Sequence, residues 1–197
     1  MAKGKEIETK WNADAVRRGV FLDKIKDHIK TSKLKHDYLF AAGYDYYYEN
    51  QEGRAPRHRI GGTTNEITCK ARMNDDSIEV RKEVNLALAP EVSPHDVAAF
   101  MELIGFKRVL PLYKTCDIFF IEDGGGSVDI VWYKITKSKI PPKIFVEVEV
   151  GGLPTNKSRK LLAKWKGIMK DLYGLTDDEI SPDSLYEIYS GKKYRKD

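Results

Sequence analysis

In the stretch KEIETKW, Lys5 to Trp11, charged and uncharged residues alternate. If the segment is extended, Glu6, Glu8 and Lys10 share one side and Ile7, Thr9 and Trp11 the other. Two carboxylates two residues apart on one strand face repel each other unless a cation lies against them. The pattern recurs along the chain. Arg57 and Arg59 flank His58; Thr68, Lys70 and Arg72 alternate with Cys69 and Ala71; Glu79, Arg81 and Glu83 share one face with Val80 opposite. Asp129 opposes Val128, Ile130 and Trp132, and Glu147 with Glu149 opposes Val146, Val148 and Val150. A sheet with one wet face would mix Thr, Ser, Gln and Lys on it. Here that face carries Glu, Arg and Lys in same-sign pairs. Closing the sheet into a barrel accounts for this: the charges line a wet interior, and the apolar faces require helices outside.

The rest of the chain supplies such helices. Phe21, Ile25 and Ile29 form one stripe, with Asn12 or Asp14 as N-cap. Ser93, Pro94 and the apolar set Val97, Phe100, Met101 and Ile104 mark a second helix, stopped by Gly105. Leu161, Leu162, Trp165, Ile168, Met169 and Leu172 mark a third, closed by Gly174, and a short helix from Ser181 to about Tyr189 follows. The amphipathic segments 14–30, 94–104 and 156–173 thus cover strands that dominate the middle of the chain, with Gly43 a candidate break and a hairpin turn at Gly124–Gly126. The expected class is α+β, a largely antiparallel sheet or barrel with helices outside it. One domain spans 1–190, its 156–190 part helical, and a basic tail occupies 191–197.

Composition narrows the function. With 34 basic and 30 acidic residues in 197, the net charge is +4, a mild excess that does not by itself argue for nucleic acid and is compatible with an anionic ligand. Cys69 and Cys116 form neither a disulfide framework nor a metal motif. No apolar run resembles a leader or reaches the ~20 residues that cross a bilayer, so a cytoplasmic protein without membrane contact is expected. The inward charges fall into an acidic cluster (Glu6, Glu8, Asp129, Glu147, Glu149) and a basic one (Lys10, Arg57, Arg59, Lys70, Arg72, Lys114). Carboxylates without sulfur or imidazole select a hard cation, Mg²⁺ or Mn²⁺. Clustered Arg and Lys select phosphate oxygens. Metal with basic residues in one cavity is the equipment of phosphoryl or nucleotidyl transfer.

The EIETK segment, Glu6, Glu8 and Lys10, resembles the ExExK signature of the CYTH domain, or triphosphate tunnel metalloenzyme, family. The likeness continues in order through Arg57 and Arg59, Lys70, the EVRKE strand, Lys114, Asp129 and the closing FVEVE, from about Lys5 to Tyr189. ExExK alone is a weak motif; the ordered set ending in a second ExE is specific. The resemblance implies an eight-stranded antiparallel β-tunnel that binds a triphosphate with divalent metal. By motif position Glu6 and Glu8 would hold metal, with Glu147 and Glu149 nearby. Lys10, Arg57, Arg59, Lys70 and Lys114 would grip phosphate, Arg72 and Arg81 beside them, and Asp129 would place a second metal or the attacking water. The expected activity is metal-dependent hydrolysis of tripolyphosphate, thiamine triphosphate or a nucleoside or RNA 5′-triphosphate, by a monomer or homodimer, a small-molecule substrate being favoured over an RNA 5′ end. The alternatives are an adenylate cyclase of the same family and a binder without turnover.

Two departures from the family pattern stand out. Where the family often has KxR, this chain has Lys114 then Cys116, so one phosphate contact is either missing or supplied by Lys107, Arg108 or Arg81. Cyclases of the family carry a His-Phe pair upstream of ExExK, which residues 1–5 do not contain. Other conspicuous residues are expected to be structural: His58 faces away from its arginine neighbours, His28, His36 and His95 fall on helix or loop, Tyr46, Tyr47 and Tyr48 pack rather than stack on a base, and neither cysteine has an activating base beside it.

Overall fold

A computed structural model describes residues 6–52, 55–62, 64–72, 80–137 and 140–192, with only the backbone of residues 6, 70–72 and 80–83. Among the described residues there are eight strands: β1 (Glu6–Asn12), β2 (Lys35–Glu49), β3 (Arg57–Gly61), β4 (Thr64–Arg72), β5 (Val80–Ala87), β6 (Lys107–Asp123), β7 (Gly126–Lys137) and β8 (Ile140–Gly151). They close an antiparallel barrel in the order β1-β5-β4-β3-β2-β6-β7-β8. The seam is uneven. β1 pairs with β8 along Ile7–Asn12 but meets β5 only at Glu6↔Arg81 and Ile7↔Val80.

The alternation read from the sequence decides which face goes where. Ile7 and Trp11 of β1, Val128, Ile130 and Trp132 of β7, and Val146, Val148 and Val150 of β8 are buried on the outside of the barrel. Two helices cover them: α1 (Arg18–Thr31) with Phe21, Ile25 and Ile29, and α3 (Thr155–Tyr173) with Leu161, Leu162, Trp165 and Met169. Each large apolar side chain removed from water there contributes about 1.5–3 kcal/mol, so the covered wall holds the barrel's main core. α2 (Pro94–Leu103), begun by a Ser93–Asp96 capping box, sets Val97 and Met101 against Tyr48. α4 (Leu185–Ser190) packs Leu185, Tyr186 and Tyr189 among Tyr47, Leu110, Leu112, Tyr133 and Phe145, across one end of the barrel. No helix among the described residues is long and apolar enough to cross a membrane.

Polar pins fix the helices in register. Arg18 donates two 2.7 Å hydrogen bonds to the fully buried Asp117 of β6, which also accepts from the Tyr38 hydroxyl at 2.6 Å. Trp132 Nε1 donates to the Val16 carbonyl at 2.8 Å, and Trp165 Nε1 to Asp123 at 2.9 Å.

Several local expectations are corrected. α1 starts after Arg17 with no side-chain cap, because Asn12 still belongs to β1 and the Asp14 carboxylate accepts instead from the Ile144 amide. α4 begins at Leu185, capped by Ser184 rather than from Ser181. His36 lies in β2, not on a helix or loop. Gly43 does not break β2. It sits where β2 and β3 approach so closely that a Cβ would stand 2.3 Å from the Ile60 carbonyl oxygen, and Gly61 opposite is equally constrained, 2.3 Å from the Ala42 carbonyl oxygen. Gly43→Ala must push two backbones apart. It is expected to cost about 1–3 kcal/mol in urea unfolding, whereas Gly19→Ala, in open space on α1, should not destabilise.

Candidate functional site

The inward faces enclose a cavity of about 390 Å³, within the range of small-molecule sites. Its acidic wall is built by register. Glu8, Glu149 and Asp129 are direct neighbours across β1, β8 and β7, and Lys10, Glu147 and Val131 form the adjacent row. Glu8, Glu147 and Glu149 each offer a carboxylate oxygen, all within 4.8 Å of one another, and all three are half-buried. Three carboxylates this close repel strongly outside bulk water. The donor set is oxygen alone, which suits a hard divalent cation such as Mg²⁺ or Mn²⁺.

Neighbouring groups fix this wall. The Tyr133 hydroxyl donates to Glu147 Oε2 at 3.1 Å. Burial first, then the carboxylates of Glu147 and Glu8, push its phenol well above the usual range, so it stays a donor. Lys114 Nζ lies 3.7 Å from the centre of the Tyr133 ring, a close cation–π contact. Lys10 is buried, its ammonium donating to the Asp183 carbonyl ahead of α4 and lying 5.9 Å from the Phe145 ring centre.

Arg57 and Arg59 of β3 line the basic side of the same cavity with Lys114. Between them stands Asp45 of β2, 1% exposed, which the sequence reading did not single out. Arg59 donates to it from Nε at 2.8 Å and Nη2 at 3.2 Å, and Arg57 Nη1 lies 3.7 Å away. Burial alone would raise the Asp45 pKa; the Arg59 and Arg57 guanidiniums override this and hold it well below the usual carboxylate range. Arg57 also donates to Thr68 Oγ1 at 3.3 Å. Two guanidiniums against one carboxylate leave net positive charge facing the cavity, with the forks held in place.

The structure thus brings Glu8, Lys10, Arg57, Arg59, Lys114, Asp129, Glu147 and Glu149 around one cavity. Glu6, Lys70, Arg72 and Arg81 hold strand positions, with Glu6 beside Arg81 and Arg72 beside Arg81 in register, but their side chains lie outside the described residues, as does Glu79 altogether. Cys116 lines the cavity where the family motif has an arginine, and burial pushes its thiol up despite Lys114 and Arg59. Arg108 does not fill in for that arginine: it stacks over Tyr46, 5.3 Å from the ring centre, away from the cavity lining. Lys107 is exposed and also outside the lining. His58 is buried on the far side of β3, its Nε2 paired with Asn65 Oδ1 at 2.8 Å. Of the three tyrosines, Tyr48 is core, Tyr46 stacks on Tyr44, and Tyr47 reaches the cavity lining.

Because the folded-state pKa of Asp45 is depressed, its ion pairs stabilise the fold fully above about pH 4 and progressively less as pH falls below it. Asp45→Asn is therefore expected to lower the unfolding free energy by about 3 kcal/mol at pH 7, and the gap between variant and parent should narrow at pH 3. Urea titrations at the two pH values measure it; equal stability at pH 7 would contradict the assignment.

No family model and no curated protein matches the chain by sequence. Solved structures match its fold. The PH1819 protein from Pyrococcus horikoshii OT3 superposes with a TM-score of 0.68 at 20% identity, over 95% of this chain and 99% of that one. A candidate adenylate cyclase from Vibrio parahaemolyticus gives 0.61 at 15% identity, over 95% and 99% of the two chains. Another from Bacillus halodurans gives 0.54 at 15%, over 96% and 99%.

Proposed function

Starting from a chain with the triphosphate-tunnel fold of the CYTH family, we propose that it hydrolyses a triphosphate-bearing substrate with Mg²⁺ or Mn²⁺, releasing orthophosphate. One observation carries this reading: the carboxylates of Glu8, Glu147 and Glu149, within 4.8 Å of one another, share a cavity with Arg57, Arg59 and Lys114. An anion binder working by charge alone gains nothing from three clustered carboxylates.

Glu8, Glu147 and Glu149 would hold the cation, with Glu6 beside them by strand position. A divalent ion so held supplies charge neutralisation for phosphate oxygens and a lowered pKa for its bound water. The protein's own groups do the rest. Arg57, Arg59 and Lys114 bind the phosphate chain and hold its terminal phosphorus in line, contributing by orientation and fixed charge. Lys70, Arg72 and Arg81 extend this grip by strand position. Asp45 keeps the two guanidinium forks aimed, and Tyr133 fixes Glu147. Asp129, next to Glu149 in register, orients the attacking water and accepts its proton while the phosphoanhydride bond to the leaving diphosphate breaks. Lys10, seated between the acidic wall and Asp183, meets the developing charge on the leaving group. Leu185 and Ser184 line the end under α4, where they limit the entry of bulk water.

A panel of tripolyphosphate, thiamine triphosphate, ATP, GTP and 5′-triphosphorylated RNA, each with Mg²⁺, Mn²⁺ or chelator, tests the proposal. Orthophosphate release from at least one substrate, abolished by chelator, is expected. Glu8→Gln and Glu149→Gln should each lower kcat at least about 100-fold (~2.7 kcal/mol) while leaving the melting temperature within a few degrees. No orthophosphate from any substrate would sink the hydrolase reading, and full activity in Glu8→Gln would sink the assignment of Glu8; pyrophosphate from ATP would replace hydrolysis with cyclisation.

A further inference from the structure

The cavity is not charged all the way round. Leu39 of β2, Ile118 and Phe120 of β6 and Val131 of β7 line it together. Register makes them one strip: Leu39 neighbours Ile118, Ile118 neighbours Val131, and Val131 neighbours Glu147. One level along, Phe120 neighbours Asp129, which neighbours Glu149. Two adjacent rows of the inner wall therefore run from apolar side chains straight into the carboxylate cluster. Strands lie about 4.8 Å apart, so Phe120 sits two spacings, ~10 Å, from Glu149, and Leu39 three spacings, ~14 Å, from Glu147.

Its outer members, Leu39 and Phe120, are not core, whereas Ile118 and Val131 are half-buried beside the cluster under α4. Leu39 is 42% and Phe120 39% exposed. Both point to the inside of the barrel, whereas α1 and α3 cover its outer face. An inorganic polyphosphate presents only charged oxygens to its surroundings. Against this wall it would lose hydration and gain no hydrogen bond in return, and the apolar area would stay as exposed as before. A ligand that joins phosphates to an apolar or aromatic group satisfies both halves of the wall at once, burying the organic part on Leu39 and Phe120 while its phosphates reach the arginines and the cation that Glu8 and Glu149 would hold.

Building on the triphosphatase reading, we infer that the substrate is an organic triphosphate, an ester whose apolar or aromatic group lies on the Leu39–Ile118–Val131 row and Phe120, and not inorganic tripolyphosphate. Loss of such an apolar contact costs about tenfold or more in affinity. The test is isothermal titration of tripolyphosphate, thiamine triphosphate and ATP, in Ca²⁺ to read binding apart from turnover, on the parent protein and on Leu39→Ser and Phe120→Ser. At least one organic triphosphate should bind about tenfold tighter than tripolyphosphate. Each variant should weaken that ligand about tenfold and tripolyphosphate less than twofold, the latter also showing that the variant is folded. Tripolyphosphate binding as tightly as both organic ligands, or all three weakened alike in both variants, would overturn the inference. Orthophosphate release with no preference for an organic ligand would overturn it alone, whereas the preference without release would overturn only the hydrolase reading.

Discussion

Like-charge repulsion inside a closed sheet is the constraint from which the rest of the structure follows. Glu8, Glu149 and Asp129 stand side by side on three neighbouring strands, and Glu147 lies one row away. Such a row is unfavourable unless counter-charge stands across from it, and the barrel supplies that charge by curvature, bringing β3 with its arginines round to the same cavity. Turning charge inward turns Ile7, Trp11, Ile130 and the valines of β8 outward. That inversion is why α1 and α3 carry apolar stripes and pack outside the barrel.

Charge balance is also managed within each wall. Asp45 partly neutralises Arg57 and Arg59 without leaving their forks free to swing. Tyr133 joins the two walls, donating to Glu147 while its ring face receives the Lys114 ammonium. α4 adds a third element: the Asp183 carbonyl holds Lys10, and Leu185 closes over the same end. The apolar strip lies on β2, β6 and β7 and runs into the acidic wall at Asp129 and Glu147.

Much of this was legible in the sequence because period-two alternation is local and strong. Glu8 and the Glu147-Glu149 pair announced an inward acidic face, and Ser93, Gly105 and Gly174 marked helix ends by their own chemistry. What escaped notice depends on partners far along the chain. Asp45 sits in a run of tyrosines, and only the pairing of β2 with β3 gives it arginines; applying the same alternation to GYDYYY would have placed it inward with Gly43 and Tyr47. The role of Gly43 comes from the backbone of the adjacent strand β3, not from its own neighbours in sequence. α1 begins without a side-chain cap, so its start left no mark in the residues. The strip of Leu39, Ile118, Phe120 and Val131 looked like ordinary strand hydrophobicity until register joined its members.

The central claim is that the inward carboxylates hold a metal facing a phosphate grip. Anomalous diffraction from crystals soaked with Mn²⁺ and a slowly hydrolysed triphosphate tests it most directly. The account predicts an anomalous peak bonded to carboxylate oxygens of Glu8, Glu147 and Glu149, with phosphate density running from it towards Arg57 and Arg59. A tunnel without such a peak, its carboxylates paired to the basic side chains and Mn²⁺ confined to the outer surface, would contradict it.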